Sequence, residues 1–162
     1  MNKSGTTLYV FVSIANKIQV IDTGKRQVLS TWEVSIQHPG DGAFDEATSR
    51  LLIGTHTPPE MIAMDAKSGK EVARLPTPEG MDGVYFDTKS KRVYVSGGRD
   101  LSTGSVYIYR QKDADHYESV GIVPTRAGSG TSFWSPELNR YYVAAPANDK
   151  EDAAILVYAP QD

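Results

Sequence analysis

Short runs in which apolar and polar residues alternate recur along the whole chain. Four of these runs open on similar segments: Thr7-Leu8-Tyr9-Val10, Arg50-Leu51-Leu52-Ile53, Arg92-Val93-Tyr94-Val95 and Arg140-Tyr141-Tyr142-Val143. Their first residues are 43, 42 and 48 positions apart. Alternation with a period of two is typical of strands that bury one face, and β-branched and aromatic residues favour strands. We therefore expect an all-β protein built from an internal repeat.

Each repeat contains several predicted strands separated by turn residues. The second repeat predicts Gly42–Asp45, Leu51–His56, Met61–Asp65 and Glu71–Thr77, and the third predicts Asp82–Asp87, Arg92–Gly97, Ser105–Arg110 and Tyr117–Pro124. The first predicts only Leu8–Ile14, Lys17–Asp22 and Gln27–Val34, and the last only Thr131–Trp134, Arg140–Ala145 and Ala154–Tyr158. Turns that contain glycine join these strands, as in antiparallel hairpins. The chain is thus predicted to be a series of antiparallel meanders.

A repeat of about 40 to 50 residues with four strands per unit is typical of β-propeller blades. We predict a single domain over residues 1–162, with blade-like units at about 7–36, 41–78, 81–125 and 129–160. The first unit lacks its inner strand and the last lacks its outer strand, so exchange of a terminal strand cannot close the ring. Open ends expose strand edges and apolar sheet faces. We expect either a second copy of the chain, as a homodimer, or the N-terminal half of a longer propeller to cover them.

Composition narrows the classes of partner. The 162 residues include 17 Lys and Arg against 20 Asp and Glu, with both signs interspersed and no basic stripe. Nothing therefore favours nucleic acid. The absence of cysteine excludes disulfides and thiolate metal sites. No apolar run approaches the ~20 residues of a membrane-spanning helix, so we predict no membrane span, and no motif calls for a cofactor.

YVTN-type β-propeller repeat proteins, a bacterial family, are similar to this chain at its recurring strands. The similar segments are Leu8–Val12, Arg92–Ser96, Arg140–Ala144 and the strands that end at Asp22 and Asp65. The resemblance extends from Thr7 to Tyr158. It implies the C-terminal half of a seven-bladed ring, a periplasmic or extracellular location, and a role as a binding or scaffold protein.

Six polar residues are candidates for a ligand site. In a propeller, two kinds of loop lie on the same face, around the central channel. They are the loops between the second and third strands of each blade and the loops that join one blade to the next. Residues predicted in these loops or at strand starts are His38, Asp41, His56, Asp82, Arg99 and Arg126. We hypothesise that some of them line a shallow polar site for a small molecule or a protein. In the alternative interpretation, Asp41 and Asp82 simply cap turns by side-chain to backbone hydrogen bonds.

Other chemistries have weaker support. His38, His56 and His116 lack the spacing of a metal motif, and His116 is predicted on the opposite face, so no metal site is predicted. Ser129 lies in Gly128-Ser129-Gly130, which is not the strained elbow of a nucleophilic serine. No catalytic residue is therefore assigned. A pair of glycosidase carboxylates stays open, because their separation is a three-dimensional quantity.

The predicted function is a non-enzymatic binding or assembly scaffold, and the alternative is a hydrolase or lyase with its site at the channel mouth. Convergence of titratable groups with perturbed pKa values in one pocket would favour the enzyme. The strand aromatics are expected mostly between blades, with Trp134 and Tyr142 as candidates for a joining face. These aromatics are Tyr94, Tyr107, Tyr109, Trp134, Tyr141 and Tyr142.

Overall fold

A computed structural model describes residues 1–98 and 103–161 of the chain. Fourteen strands lie within these ranges: β1 Thr7–Val12, β2 Lys17–Asp22, β3 Gln27–Glu33, β4 Pro39–Asp45, β5 Arg50–Thr55, β6 Glu60–Asp65, β7 Glu71–Pro76, β8 Met81–Asp87, β9 Arg92–Gly97, β10 Ser105–Gln111, β11 Tyr117–Pro124, β12 Ser132–Ser135, β13 Arg140–Ala145 and β14 Ala154–Tyr158. A single turn of 3-10 helix, Ser13–Ala15, follows β1. In the described ranges no helix is long and apolar enough to cross a membrane.

The described strands form four antiparallel sheets in chain order. The first unit contains β1–β3, the second β4–β7, the third β8–β11 and the fourth β12–β14. Each sheet is a meander in which sequential strands pair. The predicted all-β fold class is therefore confirmed, with two complete four-stranded blades between two three-stranded ones.

The turn between the first and second strands of a unit uses one recurring device. Asp45 ends β4, and its carboxylate accepts the N–H of Ala47 at 3.1 Å. Ser49, the last residue of this turn, adopts the left-handed conformation with φ of 55°. Asp87 and Lys91 take the same two positions in the third unit, and Lys91 has φ of 56°. Because the two turns have the same form, Arg50 at the start of β5 and Arg92 at the start of β9 occupy equivalent positions in their units.

Three apolar clusters hold consecutive sheets together. The first two units meet at Ile18, Ile36, Leu51, Ile53, Ile62 and Met64. The second and third meet at Leu52, Met61, Ala63, Met81, Val84, Val93, Val95 and Tyr109, and the third and fourth at Tyr94, Val106, Trp134, Tyr141 and Val143. Because successive side chains of a strand point to opposite faces, each middle sheet contributes to two clusters. The units therefore stack in chain order.

Some predicted strand bounds are wrong. The first strand was expected to reach Ile14 but ends at Val12, because the chain turns before Asn16, which has φ of 52°. The strand expected from Gly42 begins at Pro39, ahead of the predicted unit boundary, since the register shifts between Pro39 and Gly42 and hides the pairing. The other strand ends differ by at most one residue.

The fourth sheet buries one face and exposes the other. Tyr141 packs in the cluster against the third unit. The next residue, Tyr142, pairs with Phe133 and Val157, which therefore share the opposite side. Phe133 is 58% exposed, Ile155 60% and Val157 55%. We call Phe133, Tyr142, Ile155 and Val157 the fourth-unit face.

The first sheet also has an apolar side that points away from the other units. Leu8 pairs with Ile21, which pairs with Val28. Val10 and Val12 lie on the same side of β1 because strand side chains alternate. Val28 is 51% exposed, and the other four residues are partly exposed. We call Leu8, Val10, Val12, Ile21 and Val28 the first-unit face.

The strand aromatics divide between these environments. Tyr94, Tyr109, Trp134 and Tyr141 are buried between units, and Tyr107 packs against the second cluster. Tyr142 instead lies on the fourth-unit face. Trp134, 7% exposed, therefore belongs to the interior, and of the two candidates for a joining face only Tyr142 lies on the outer side.

Candidate functional site

Loops from three units surround a small cavity on the channel face. Its volume is about 280 Å³. The lining residues are His56, Gly80, Asp82, Gly98, Gly128, Gly130 and Thr131. Asp82 belongs to β8, and the others come from the loop after β5, the two loops that join the last three units, and the loop after β9. The loops predicted to share a face thus meet around one opening.

Asp41 and Asp82 occupy equivalent positions, since each precedes a glycine near the start of the first strand of its unit. The Oδ2 atom of Asp41 accepts the backbone N–H of Val84 at 2.8 Å. The Oδ2 atom of Asp82 accepts the hydroxyl of Thr131 at 2.7 Å. Each carboxylate therefore bonds to the following unit. The two residues connect neighbouring sheets close to the channel.

The carboxyl group of Asp41 has a perturbed pKa. Burial raises the pKa of Asp41, and the nearby charge of Asp82 raises it further. The N–H groups of Val84 and Gly42 lower the pKa of Asp41 but do not offset the burial. Asp41 therefore holds its proton more tightly than an exposed aspartate does.

The two histidines of the candidate set differ in position. His56 is exposed and lines the cavity. His38 is exposed with φ of 52°, and its backbone N–H donates to Oδ1 of Asn16 at 2.8 Å. His38 is not part of the cavity wall. Its conformation is fixed by the turn between the first and second units.

Arg126 fixes a loop of the fourth unit. Its Nη1 atom donates to the carbonyls of Pro146 and Asp152 at 3.0 and 2.6 Å, and its Nε lies 3.2 Å from a carboxylate oxygen of Glu151. The side chain is 13% exposed and lies apart from the cavity lining. Arg99 lies outside the described residues. Of the six candidates, the structure therefore brings Asp41, His56 and Asp82 together.

A hydroxyl network that the sequence did not indicate lies next to these aspartates. Ser96 donates to the carbonyl of Gly130 at 2.6 Å, and its Oγ lies 2.7 Å from Oγ of Ser132. Tyr141 donates to the same Ser132 hydroxyl at 2.8 Å, while Tyr85 donates to the Ser132 carbonyl at 2.6 Å. Burial raises the pKa of Tyr141 to about 12. The only sequence signal was the register of Ser96 and Ser132, which places both side chains toward the neighbouring unit.

Metal ligands do not converge in the described ranges. There, no group of three His, Asp or Glu side chains could hold an ion. The His116 ring pairs with Asp113, with its Nδ1 2.8 Å from Oδ1, in the loop between β10 and β11. Hydrogen bonds to the N–H of Asp115 and to the His116 ring lower the pKa of Asp113. This pair stabilises an exposed hairpin.

The fold is similar to those of several large proteins with solved structures. A chain of the hydrazine synthase of Kuenenia stuttgartiensis superposes with a TM-score of 0.84 at 14% identity. A proposed 6-phosphogluconolactonase from Bacteroides uniformis gives 0.81 at 14% identity, and a chain of the mitotic checkpoint complex gives 0.76 at 15%. Identities this low indicate the fold alone, which is that of a β-propeller. No protein-family model and no curated protein matches the sequence.

The similarity covers almost all of this chain and less than half of each of those proteins. The shares of this chain are 98%, 99% and 96%, whereas the shares of the other chains are 44%, 49% and 47%, in the order given above. The chain therefore spans about half the length of the propellers that it matches.

Proposed function

We propose that the chain is a non-enzymatic binding or assembly scaffold that completes its ring as a homodimer. The observation that carries the proposal is the pair of apolar surfaces at opposite ends of the stack, the first-unit face and the fourth-unit face. In a closed ring, each would pack against a neighbouring blade. Exposed apolar surfaces of this kind mark sites of association.

A two-fold axis joins these faces without leaving an end open. The first-unit face of one copy packs on the fourth-unit face of its partner, and the symmetry repeats that contact once. The dimer then contains eight sheets, within the range of about 4 to 8 blades that propellers use. The half-length coverage of the similar propellers supports this count, since two copies supply a full ring.

The channel face is the proposed binding surface of this scaffold. Asp41 and Asp82 are engaged in hydrogen bonds between units, and Arg126 is engaged in hydrogen bonds to a loop of the fourth unit, which supports a structural role. His56 remains exposed at the cavity and is the side chain best able to contact a polar ligand. Membership of the YVTN-type repeat proteins, with a bacterial origin and a periplasmic or extracellular location, is part of the proposal and rests on the recurring strands.

Light scattering across a dilution series tests the dimer. We expect twice the mass of one chain for the unmodified protein and the mass of a single folded chain for Val157→Lys, which places a charge on the fourth-unit face. Ile122→Lys is the matched control, because Ile122 on β11 is also 55% exposed but lies outside both terminal faces. A monomer at every concentration, or equal loss of mass in both variants, would overturn the proposal.

A second candidate, a hydrolase or lyase acting at the channel mouth, is favoured by the meeting of Asp41, Asp82 and His56. The raised pKa of Asp41 beside a second carboxylate suits a general acid. Two of the similar folds are proposed 6-phosphogluconolactonases. Hydrolysis of 6-phosphogluconolactone that Asp82→Asn and His56→Gln each abolish would establish the enzyme. Equal rates in the three proteins would exclude this site.

A further inference from the structure

A second and mostly apolar cavity lies between the third and fourth units. Its volume is about 240 Å³, and it shares no lining residue with the channel-face cavity. Apolar and aromatic side chains form most of its wall, among them Val106, Ile108, Tyr141 and Tyr158. Arg92 and Tyr94 of β9 add polar groups to this wall. An apolar pocket with a few polar groups is the usual form of a small-molecule site.

Two polar atoms of this wall are buried without a hydrogen bond of good geometry. Arg92 is 8% exposed, and its Nε atom is buried without a hydrogen bond. In the described part of the chain, no ion pair joins Arg92 to a carboxylate. Tyr94 is 3% exposed, and its hydroxyl makes no hydrogen bond of good geometry. Burial raises the pKa of Tyr94, and the nearby side chains of Arg92 and Ser90 offset this in part. A buried donor without a hydrogen-bond partner is costly, so the Nε–H group of Arg92 calls for an acceptor.

The repeat supplies an internal comparison for this arginine. Arg50 opens β5 as Arg92 opens β9, and its Nη1 and Nη2 atoms lie 2.8 Å from Asp65 and 2.7 Å from Asp115. Asp65 stands opposite Arg50 in the strand register. In the third unit, the residue opposite Arg92 is Arg110, which carries the same charge. The carboxylate that neutralises the second-unit arginine is thus replaced by a cation.

The nearest acidic residue in the register is engaged in its own turn. Asp87 pairs with Arg92 across β8 and β9. Its carboxylate accepts the N–H of Lys89 at 3.0 Å and also the N–H and hydroxyl of Ser90. Asp45 makes the same turn bonds in the second unit, where Arg50 has two other carboxylates. The turn aspartate therefore does not replace the missing partner.

We propose that this cavity binds a small organic carboxylate with an aromatic or branched aliphatic body. The planar guanidinium of Arg92 matches the two oxygens of a carboxylate, and the hydroxyl of Tyr94 is a further donor at the same end. The apolar walls accept the rest of the ligand. This site is independent of the dimer and of the channel face.

Titration with phenylacetate, benzoate and 3-methylbutanoate, followed by amide chemical shifts, tests the site. We expect saturable shifts around the cavity with at least one acid. Phenylacetamide lacks the charge and sulfate lacks the apolar body. The affinity of each should be at least about tenfold lower than that of the acids. Arg92→Gln should lose binding by a similar factor, Arg92→Lys should retain part of it, and Arg140→Gln, which alters an exposed equivalent, should leave it unchanged. Absence of binding by all three acids, or equal binding of the amide, would overturn the proposal.

Thermal unfolding without ligand gives a second readout. Replacing a buried and unpaired charge by an apolar residue is expected to preserve or raise stability, so Arg92→Leu should keep or increase the midpoint. Arg50→Leu, which leaves two carboxylates without their cation, should lower it. A loss in Arg92→Leu as large as in Arg50→Leu would mean that the chain itself supplies the partner of Arg92, and the proposal would fail.

Discussion

The carboxylate of Asp41 accepts the backbone N–H of Val84 at 2.8 Å across the boundary between the second and third units. The bond connects two inner strands near the channel, where the sheets approach most closely. It also explains why a partly buried acid is retained there, because Val84 would otherwise have an unpaired backbone donor. Asp82 also bonds to the following unit, where it accepts the side-chain hydroxyl of Thr131.

Two substitutions of Asp41 should have different effects on stability. Asp41→Asn keeps an acceptor oxygen for Val84 and removes a carboxylate whose pKa is raised by burial, so the free energy of unfolding at neutral pH should change little or increase. Asp41→Ala leaves the N–H of Val84 unpaired and should lower it by about 1–3 kcal/mol. Urea unfolding at pH 7 measures both changes, and equal losses in the two variants would contradict the role of the bond.

The same residue predicts a pH dependence. Because the pKa of Asp41 is raised above the ordinary value of 3.8, the folded state binds the proton more tightly than the unfolded state. Protonated Asp41 therefore contributes to the free energy of unfolding. This contribution is complete below pH 3.8 and is lost as the pH rises through the raised pKa of Asp41. As the pH rises through this range, the Asp41→Asn variant should therefore become more stable relative to the unmodified protein, as measured by the free energy of unfolding. A difference that is constant with pH would contradict the prediction.

Arg50 should contribute more to stability than the equivalent arginine of the fourth unit. Arg50→Ala leaves Asp65 and Asp115 without their shared cation. We expect a loss of about 1–2 kcal/mol, since both carboxylates are partly exposed and solvent reduces the effect. Arg140 is exposed, and within the described residues its side chain bonds only to the neighbouring carbonyl of Asn139. Arg140→Ala should therefore change stability by no more than about 0.5 kcal/mol. Chemical unfolding of both variants measures these changes in the free energy of unfolding. Equal losses in the two variants would contradict the prediction.

Gly42 is required by the close approach of two sheets. A Cβ atom at this position would meet the backbone carbonyl of Leu52 and would lie 2.8 Å from the ring of Phe11. Gly42→Ala should therefore destabilise the fold by about 1–3 kcal/mol. Gly121→Ala is the control, because nothing lies within 4 Å of a Cβ there. Similar melting temperatures for the two variants would show that β4 can move away from Phe11 and Leu52 without cost.

The fold was accessible from the sequence because period-two alternation and a repeated segment act locally and recur four times. The start of β4 was predicted wrongly because the register shifts between Pro39 and Gly42. A bulge of this kind is not visible in the alternation of apolar and polar residues. The inter-unit bonds of Asp41 and Asp82 depend on how one sheet is placed against the next, which local pattern does not encode. The same reason hides Arg92, whose segment was recognised as a repeat although its lack of a partner appears only in three dimensions.

The central claim is that the first-unit face of one copy contacts the fourth-unit face of another. The chain contains no cysteine, so Val10→Cys on one face and Val157→Cys on the other report this contact through a short bifunctional maleimide. Mass spectrometry of the cross-linked protein is the measurement. We predict that the double variant gives a covalent dimer with links between residues 10 and 157 of different copies, and that each single variant does not cross-link. An uncross-linked monomer, an internal link within one chain, or dimers of the single variants would contradict the proposed ring.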